Sequence, residues 1–255
     1  MKIVADENLA FTEYFFSEFG TIHQAAGRNL THHDVNDADA LLVRSITKVN
    51  EQLVQDTALK FVGSATIGTD HLDILALEKH QIAWSNAAGC NAQAVAEYVI
   101  TALLHLNQDF LDLGKKFTLG IIGLGNVGTR LAYMAQLLGW NVIGYDPLVQ
   151  RENVQQVEFD ALLKKADAIS IHVPLTQTGP FATHHLINAD ALALMQPETI
   201  LINSARGAVV EEAALMADIL KTRRKVVLDV FEHEPEISQR LLVLITIVTP
   251  HIAGY

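Results

Sequence analysis

Apolar residues fall along this chain in short blocks of two kinds. Runs of three to five at Ile3–Ala5, Ala40–Arg44, Phe61–Ser64 and Ile82–Ser85 read as strands. Between them, Phe11–Phe19 and His71–His80 read as helical patterns, and Leu9, Tyr14 and Phe15 recur at roughly helical spacing. Strand and helix patterns in alternation predict a parallel sheet with helices on both faces. The long segment Ala92 to Gln108 follows the turn Asn86-Ala87-Ala88-Gly89-Cys90-Asn91 and reads as a helix bridging two units.

The same alternation resumes beyond it. Strands are expected at Leu119–Ile122, Trp140–Tyr145, Ala168–His172, Thr199–Asn203, Val226–Val230 and Ile245–Thr249. Helices are expected at Thr129–Leu138, Phe159–Lys165, Ala189–Leu194, Glu211–Thr222 and Ser238–Leu244. Six strands with such crossovers complete a doubly wound sheet. The predicted architecture is α/β, with two doubly wound parallel-sheet domains divided as 1–91 and 92–255.

One turn carries chemistry directly. Leu119-Gly120-Ile121-Ile122 runs into Gly123-Leu124-Gly125-Asn126-Val127-Gly128, a G-x-G-x-x-G between strand and helix. Gly123 permits the tight turn, Gly125 admits phosphate to the backbone, and Gly128 lets helix pack on strand. The helix start offers unpaired N–H groups to a pyrophosphate, with Asn126 and Val127 leading that turn. Asp146 lies 21 residues beyond Gly125 at the end of the next strand. A carboxylate there accepts hydrogen bonds from ribose hydroxyls and repels a 2′-phosphate, so the expected cofactor is NAD rather than NADP.

Composition narrows the rest. Of 255 residues, 50% are hydrophobic and 18% charged, enough to fill two cores and too little charge for a disordered chain. The net charge of −11 and the lack of a basic stripe exclude nucleic acid as an expected partner. Cys90 is the single cysteine, which fits a reducing compartment and is expected to be a small buried hydrophobe. Lys2-Ile3-Val4-Ala5 opens as a strand and not as a signal peptide. Glu97 and His105 interrupt the longest apolar stretch, so no membrane span is expected, and the chain reads as cytoplasmic. His32-His33 and His184-His185 lack metal-site spacing and are expected in solvated loops, with no metal bound.

In a doubly wound sheet, functional side chains sit after strand C-termini. Three loops of the second half qualify. They are Ser204-Ala205-Arg206-Gly207-Ala208, Phe231-Glu232-His233-Glu234-Pro235 and Pro250-His251-Ile252-Ala253-Gly254. They offer an arginine, a carboxylate and a histidine to the edge that receives the cofactor. Arg206 would grip a substrate carboxylate or carbonyl, and His251 would take a hydroxyl proton. An acid would orient the imidazole, and spacing alone leaves Glu232 and Glu234 in competition. In the first half, Ala65-Thr66-Ile67-Gly68 follows a strand and can present N–H groups to a carboxylate, while Arg44 and Lys48 are candidates for a phosphate.

Together these loops resemble the D-isomer-specific 2-hydroxyacid dehydrogenases. The likeness rests on the glycine turn and on Asn203-Ser204-Ala205-Arg206-Gly207. It rests also on Asp229-Val230-Phe231-Glu232-His233-Glu234-Pro235 and Thr249-Pro250-His251-Ile252-Ala253-Gly254. The resemblance implies a flavodoxin-like substrate domain and a Rossmann NAD-binding domain, with Arg206, Glu234 and His251 catalytic. Further motifs resemble a branch acting on a phosphorylated 2-hydroxy acid. They are Ala5-Asp6-Glu7-Asn8, Leu42 to Asn50, Phe61 to His71, Gly89 to Ala92 and the terminal His251 to Tyr255. That likeness implies substrate contacts from Ser45, Thr66 and Tyr255. It implies NAD contacts from Asp146, Asp229 and Gly254, and from the backbone around Val173 and Ser204, Ala205 and Arg206. Chains of this branch continue past that tyrosine and add a dimerisation region, which implies a homodimer for the full-length protein. The rival expectations are a dehydrogenase for glycerate or 3-phosphoglycerate and a non-enzymatic NAD(H)-sensing interaction protein on the same fold.

Overall fold

The computed structural model describes residues 1–106 and 116–254. Chain contacts divide it into two units, Met1–Cys90 and Asn91–Tyr255.

In the first unit, β1 (Lys2–Asp6), β2 (Thr21–Ala25), β3 (Ala40–Val43), β4 (Phe61–Ser64) and β5 (Ala83–Asn86) form a parallel sheet in the order β2-β1-β3-β4-β5. This is the flavodoxin-like winding. Ile3, Ala5, Ala40 and Leu42 feed one core. Val4, Leu41, Val43 and Val62 feed another, so alternate residues of each strand enter opposite cores. β2 was not expected, because its residues Thr-Ile-His-Gln-Ala are mostly exposed at the sheet edge. The helical reading of Phe11–Phe19 is corrected. Only Thr12–Phe16 (α1) is α-helix, Ser17–Phe19 tightens into a 3₁₀ turn, and Tyr14 and Phe15 face solvent. Two four-residue helices, α2 (His32–Val35) and α3 (Glu51–Val54), and α4 (Ile74–Lys79) complete the connections. Cys90 is exposed, which corrects its reading as a buried hydrophobe.

The second unit opens with α5 (Ala92–Leu106). Its strands are β6 (Thr118–Ile122), β7 (Asn141–Tyr145), β8 (Gln155–Gln156), β9 (Ala168–Ile171), β10 (Ile200–Asn203), β11 (Val226–Leu228) and β12 (Ile247–Val248). All run parallel in the order β12-β11-β10-β9-β6-β7-β8, the Rossmann winding with one strand added at the β11 edge. The helices between them are α6 (Asn126–Leu137), α7 (Phe159–Lys165), α8 (Ala189–Leu194), α9 (Glu212–Thr222) and α10 (Gln239–Leu242).

The central strands are apolar at most positions because both faces are covered, with Ser170 and Asn203 as buried polar exceptions. Leu119, Ile121, Ile200, Ile202 and Val227 enter one core with α5 and α6. Ile122, Ile169, Ile171, Leu201, Val226 and Leu228 enter the other with residues of α7, α8 and α9. Each such side chain contributes about 1.5–3 kcal/mol by leaving water. The order reverses between β6 and β9, the switch point where such sheets bind ligands at their C-terminal ends.

Candidate active site

The first β6 turn is built around glycines. Gly123 takes φ +93, a backbone region that side chains avoid, and a Cβ there would collide with the His172 carbonyl. Gly128 in α6 presses against the Gly123 carbonyl, so helix and strand meet without a side chain between them. Gly125 is different, since a Cβ there would meet nothing within 4 Å. The space beside Gly125 therefore lies open at the head of α6, whose N-cap makes no side-chain bond. Backbone N–H groups of Asn126 and Val127 begin that twelve-residue helix.

Asp146 follows β7 and is oriented by main chain. Leu124 N–H donates to one carboxylate oxygen at 2.8 Å, and Leu148 and Val149 N–H donate to the other at 2.9 and 3.1 Å. The carboxylate keeps one lone pair, on Oδ2, for a further donor. Val173 follows β9 and packs partly buried on the core, beside the would-be Cβ of Gly123. His172 donates its N–H to Ile122 and shares a 2.8 Å bond between its ring and Ser170 Oγ. Burial pushes its imidazole down to about 3, so it stays neutral.

The three chemistry-bearing loops are stitched together at the ends of β10, β11 and β12. Buried Asn203 closes the first, donating to the Arg206 carbonyl at 2.9 Å and accepting from Ala205 N–H at 3.0 Å. Gly207 then lies against the Phe231 carbonyl, and a Cβ there would come under 3.0 Å from Phe231 C, Phe231 O and Glu232 N. This close approach brings the Arg206 loop onto the Glu234 loop. Arg206 Nη1 donates to the Ala205 carbonyl at 2.7 Å. Ser204 Oγ is buried and finds no partner among the described residues.

Glu234 and His251 meet directly. Glu234 Oε1 accepts from Phe231 N–H at 2.8 Å, and Oε2 lies 3.2 Å from His251 Nδ1. The Glu234 bond, outweighing the cost of burial, raises the His251 imidazole above its ordinary 6.5. Burial pushes Glu234 up, but the His251 and Phe231 bonds and the nearby Arg206 and His251 charges together hold it below its ordinary value. With Nδ1 committed to Glu234, Nε2 is the nitrogen left to exchange a proton. Glu232 is used elsewhere. It pairs with His185 Nε2 at 2.5 Å and accepts Glu212 N–H at 3.0 Å, at the head of α9. His185, against which the His184 ring stacks at 3.9 Å, is thus hydrogen-bonded to Glu232 and does not stand in a purely solvated loop.

Asp229 is 1% exposed and folds the histidine loop. Its carboxylate accepts from Thr249 Oγ1 (2.6 Å), Ile252 N–H (2.8 Å) and Ala253 N–H (2.9 Å). Gly254 packs on Asn91, where a Cβ would be obstructed. Sequence reading missed Asn203 and Thr249 as builders of the site. Each is a polar residue at the end of an otherwise apolar strand pattern, and that is the signal that could have found them.

Val43 and Ser64 are register partners on β3 and β4, so Ser45 and Thr66, each two residues further on, leave the same edge of that sheet. Ser45 is exposed, and Thr66 Oγ1 lies 2.9 Å from Ser64 Oγ, which in turn lies 2.9 Å from His71 Nε2. Arg44 is engaged with neighbours and Lys48 is exposed. Tyr255 lies outside the described residues. No helix among the described residues is long and apolar enough to cross a membrane.

A Rossmann winding, an open glycine turn at a bare helix start and a carboxylate at the end of the next strand fit a dinucleotide, and they define an NAD-binding oxidoreductase domain. Comparison with known proteins agrees. The NAD binding domain of the D-isomer specific 2-hydroxyacid dehydrogenases matches residues 105–253. An erythronate-4-phosphate dehydrogenase of Acinetobacter baumannii is 71% identical over the whole chain, which spans 72% of that relative's length. One from Psychrobacter cryohalolentis is 45% identical, with 74% of its length covered. A D-lactate dehydrogenase from Aquifex aeolicus, solved with NAD and lactic acid, superposes with a TM-score of 0.84 at 25% identity, covering 100% of this chain and 89% of that one. An acyclic imino acid reductase solved with NADPH and D-Arg gives 0.86 at 25%, covering 100% and 91%. The chain belongs to the D-isomer-specific 2-hydroxyacid dehydrogenases, and within them to the erythronate-4-phosphate dehydrogenases.

Proposed function

We propose that the protein oxidises 4-phospho-D-erythronate to 3-hydroxy-2-oxo-4-phosphooxybutanoate, a step of pyridoxine 5′-phosphate (vitamin B6) biosynthesis. The observation that carries this reading is the His251–Glu234 pair, 3.2 Å apart, with the Arg206 charge close enough to perturb both, in an NAD-binding unit. NAD, when bound, supplies the acceptor for the hydride that leaves C2. His251 Nε2 takes the C2 hydroxyl proton, so the C2–O bond becomes a carbonyl. Glu234 keeps Nδ1 protonated and stabilises the imidazolium that results. Arg206 holds the C1 carboxylate or the developing carbonyl through charge-assisted bonds, each contributing roughly 1.5–3 kcal/mol.

In the same reading Gly123, Gly125, Asn126, Val127 and Gly128 cradle the pyrophosphate. Asp146 takes the adenosine ribose hydroxyls, and Val173, Ser204, Ala205, Asp229 and Gly254 line the nicotinamide side. The buried, partnerless Ser204 hydroxyl supports that last assignment. Ser45, Thr66 and Tyr255 contact substrate. The protein works in the cytoplasm, as a homodimer in its full-length form.

The test is direct. Absorbance from NADH should grow with 4-phosphoerythronate and stay flat with glycerate and 3-phosphoglycerate. Turnover of the latter two alone would refute the substrate assignment. His251→Ala should abolish turnover and leave NADH binding nearly intact. Loss of NADH binding would make His251 structural.

A further inference from the structure

We infer that Tyr98 and Thr249 are positioning residues for His251, acting on it through the Asp229 carboxylate. The inference rests on the reading of His251 as the base.

Tyr98 stands on α5, remote in sequence from the catalytic loops. Its Oη lies 2.7 Å from Thr249 Oγ1, which lies 2.6 Å from Asp229 Oδ1. The direction of this chain is fixed by chemistry. An ionised carboxylate accepts only, so Thr249 donates to it and has no second proton. Thr249 therefore accepts from Tyr98, and the line reads Tyr98 O–H to Thr249 O–H to Asp229. Burial above all, with the Asp229 charge adding to it, keeps the Tyr98 phenol protonated, as a donor must be.

Asp229 spends the rest of its capacity on the histidine loop. Its main-chain carbonyl accepts His251 N–H at 2.8 Å, Oδ1 also accepts Ile252 N–H, and Oδ2 accepts Ala253 N–H. The loop is thus held at three successive residues by one buried side chain and its own backbone. It needs such holding. His251 sits at φ +57, a left-handed conformation that a residue with a side chain adopts only when its surroundings enforce it. Bonds in series polarise one another, so the two hydroxyls strengthen the acceptor that clamps the loop. They also occupy the Oδ1 lone pair that water would otherwise contest. The charged groups facing His251 are Glu234, Asp229 and Arg206. A clamp that slackens moves the imidazole away from Glu234, the partner that tunes it.

The experiment uses protein labelled with ¹³C-histidine, with the His251 signal assigned by its loss in His251→Ala. Thr249→Val should lower the His251 pKa toward its ordinary value and reduce kcat by about tenfold or more, with KM for NAD changed far less. Thr249→Ser keeps the hydroxyl and should restore both. Tyr98→Phe should give a smaller loss of kcat in the same direction. The double variant Tyr98→Phe with Thr249→Val should be no worse than Thr249→Val alone, since both act along one line. An unmoved His251 titration in Thr249→Val, failure of serine to rescue, or additive losses would overturn the inference. Should Thr249→Val not fold, the serine and phenylalanine variants decide the matter. The titration needs no substrate, so a shifted pKa in an enzyme inactive on 4-phosphoerythronate would sink the substrate assignment and leave the clamp standing.

Discussion

Gly207→Ala adds one methyl group to a residue that touches neither proton nor hydride, and it should nearly silence the enzyme. The new Cβ would lie under 3.0 Å from three main-chain atoms, Phe231 C, Phe231 O and Glu232 N. Ordinary carbon contacts need about 3.5–4 Å, so one loop must retreat by about 1 Å or more. Backbone atoms cannot rotate aside as a side-chain tip would. On one side of the contact is Arg206, next in sequence, and on the other is Glu234, tied to Phe231 N–H at 2.8 Å. The retreat therefore separates the guanidinium from the acid–imidazole pair. A misplacement of about 1 Å in a catalytic constellation costs on the order of 10²-fold in rate. Overpacking of this kind also costs about 1–3 kcal/mol of stability. Steady-state kinetics should show kcat down by about two decades, with NADH still held through the undisturbed Gly123–Gly128 turn, as followed by protein fluorescence. A folded Gly207→Ala enzyme with a kcat within threefold of the parent would refute the argument that loop contact sets the arginine.

The His251–Glu234 pair makes activity and stability depend on pH in opposite senses. His251 must be neutral to accept a proton, and its pKa is raised, so the acidic limb of kcat/KM should lie above 6.5. Glu234→Gln should bring that limb down toward 6.5 and cut kcat, and an unmoved limb would dissociate the acid from the base. Stability from the raised His251 is full below 6.5 and lost as pH rises through its folded value. Stability from the lowered Glu234 is full above 4.5 and lost as pH falls through its folded value, so the pair stabilises most between about 4.5 and 6.5. His251 is 51% exposed, which keeps that contribution small. Glu232→Ala should leave kcat nearly unchanged and lower the melting temperature, through loss of about 1 kcal/mol at the α9 head; a hundredfold loss of kcat would restore Glu232 as the catalytic acid. Asp146→Asn should narrow the preference for NAD over NADP by about tenfold or more, and an unchanged ratio of kcat/KM values would remove its ribose role.

The buried strands and the glycine turn were legible because both depend on local pattern. Runs such as Leu119–Ile122 and Val226–Leu228 must be apolar on both faces, and a strand-to-helix turn needs its glycines wherever it occurs. What escaped had weak local signals. β2 is polar at an edge, β8 has two residues, and α2 and α3 are too short to show a period. Phe11–Phe19 misled because its aromatic spacing is helical while the aromatics face outward, packing edge to face on one another. At the site, residue types marked Arg206 and His251, but Glu232 and Glu234 differ only in what they reach. One meets the head of α9 and the other meets His251, and only the path of the chain after β11 separates them. The clamp from α5 joins residues 151 positions apart, a separation no motif spans.

β12 has two residues and pairs, among the described strands, with β11 alone. It also leads into the loop that carries His251, the base of the proposed reaction. Fraying at the margin of a sheet takes far less free energy than melting its middle, so the enzyme should lose function while its interior is still intact. In a urea series, inactivation should run ahead of the loss of far-ultraviolet signal, and amide hydrogens around residue 249 should exchange long before those of β6. On the proposed chemistry, the coenzyme would rest against the sheet's middle strands and the proton acceptor on its frailest margin.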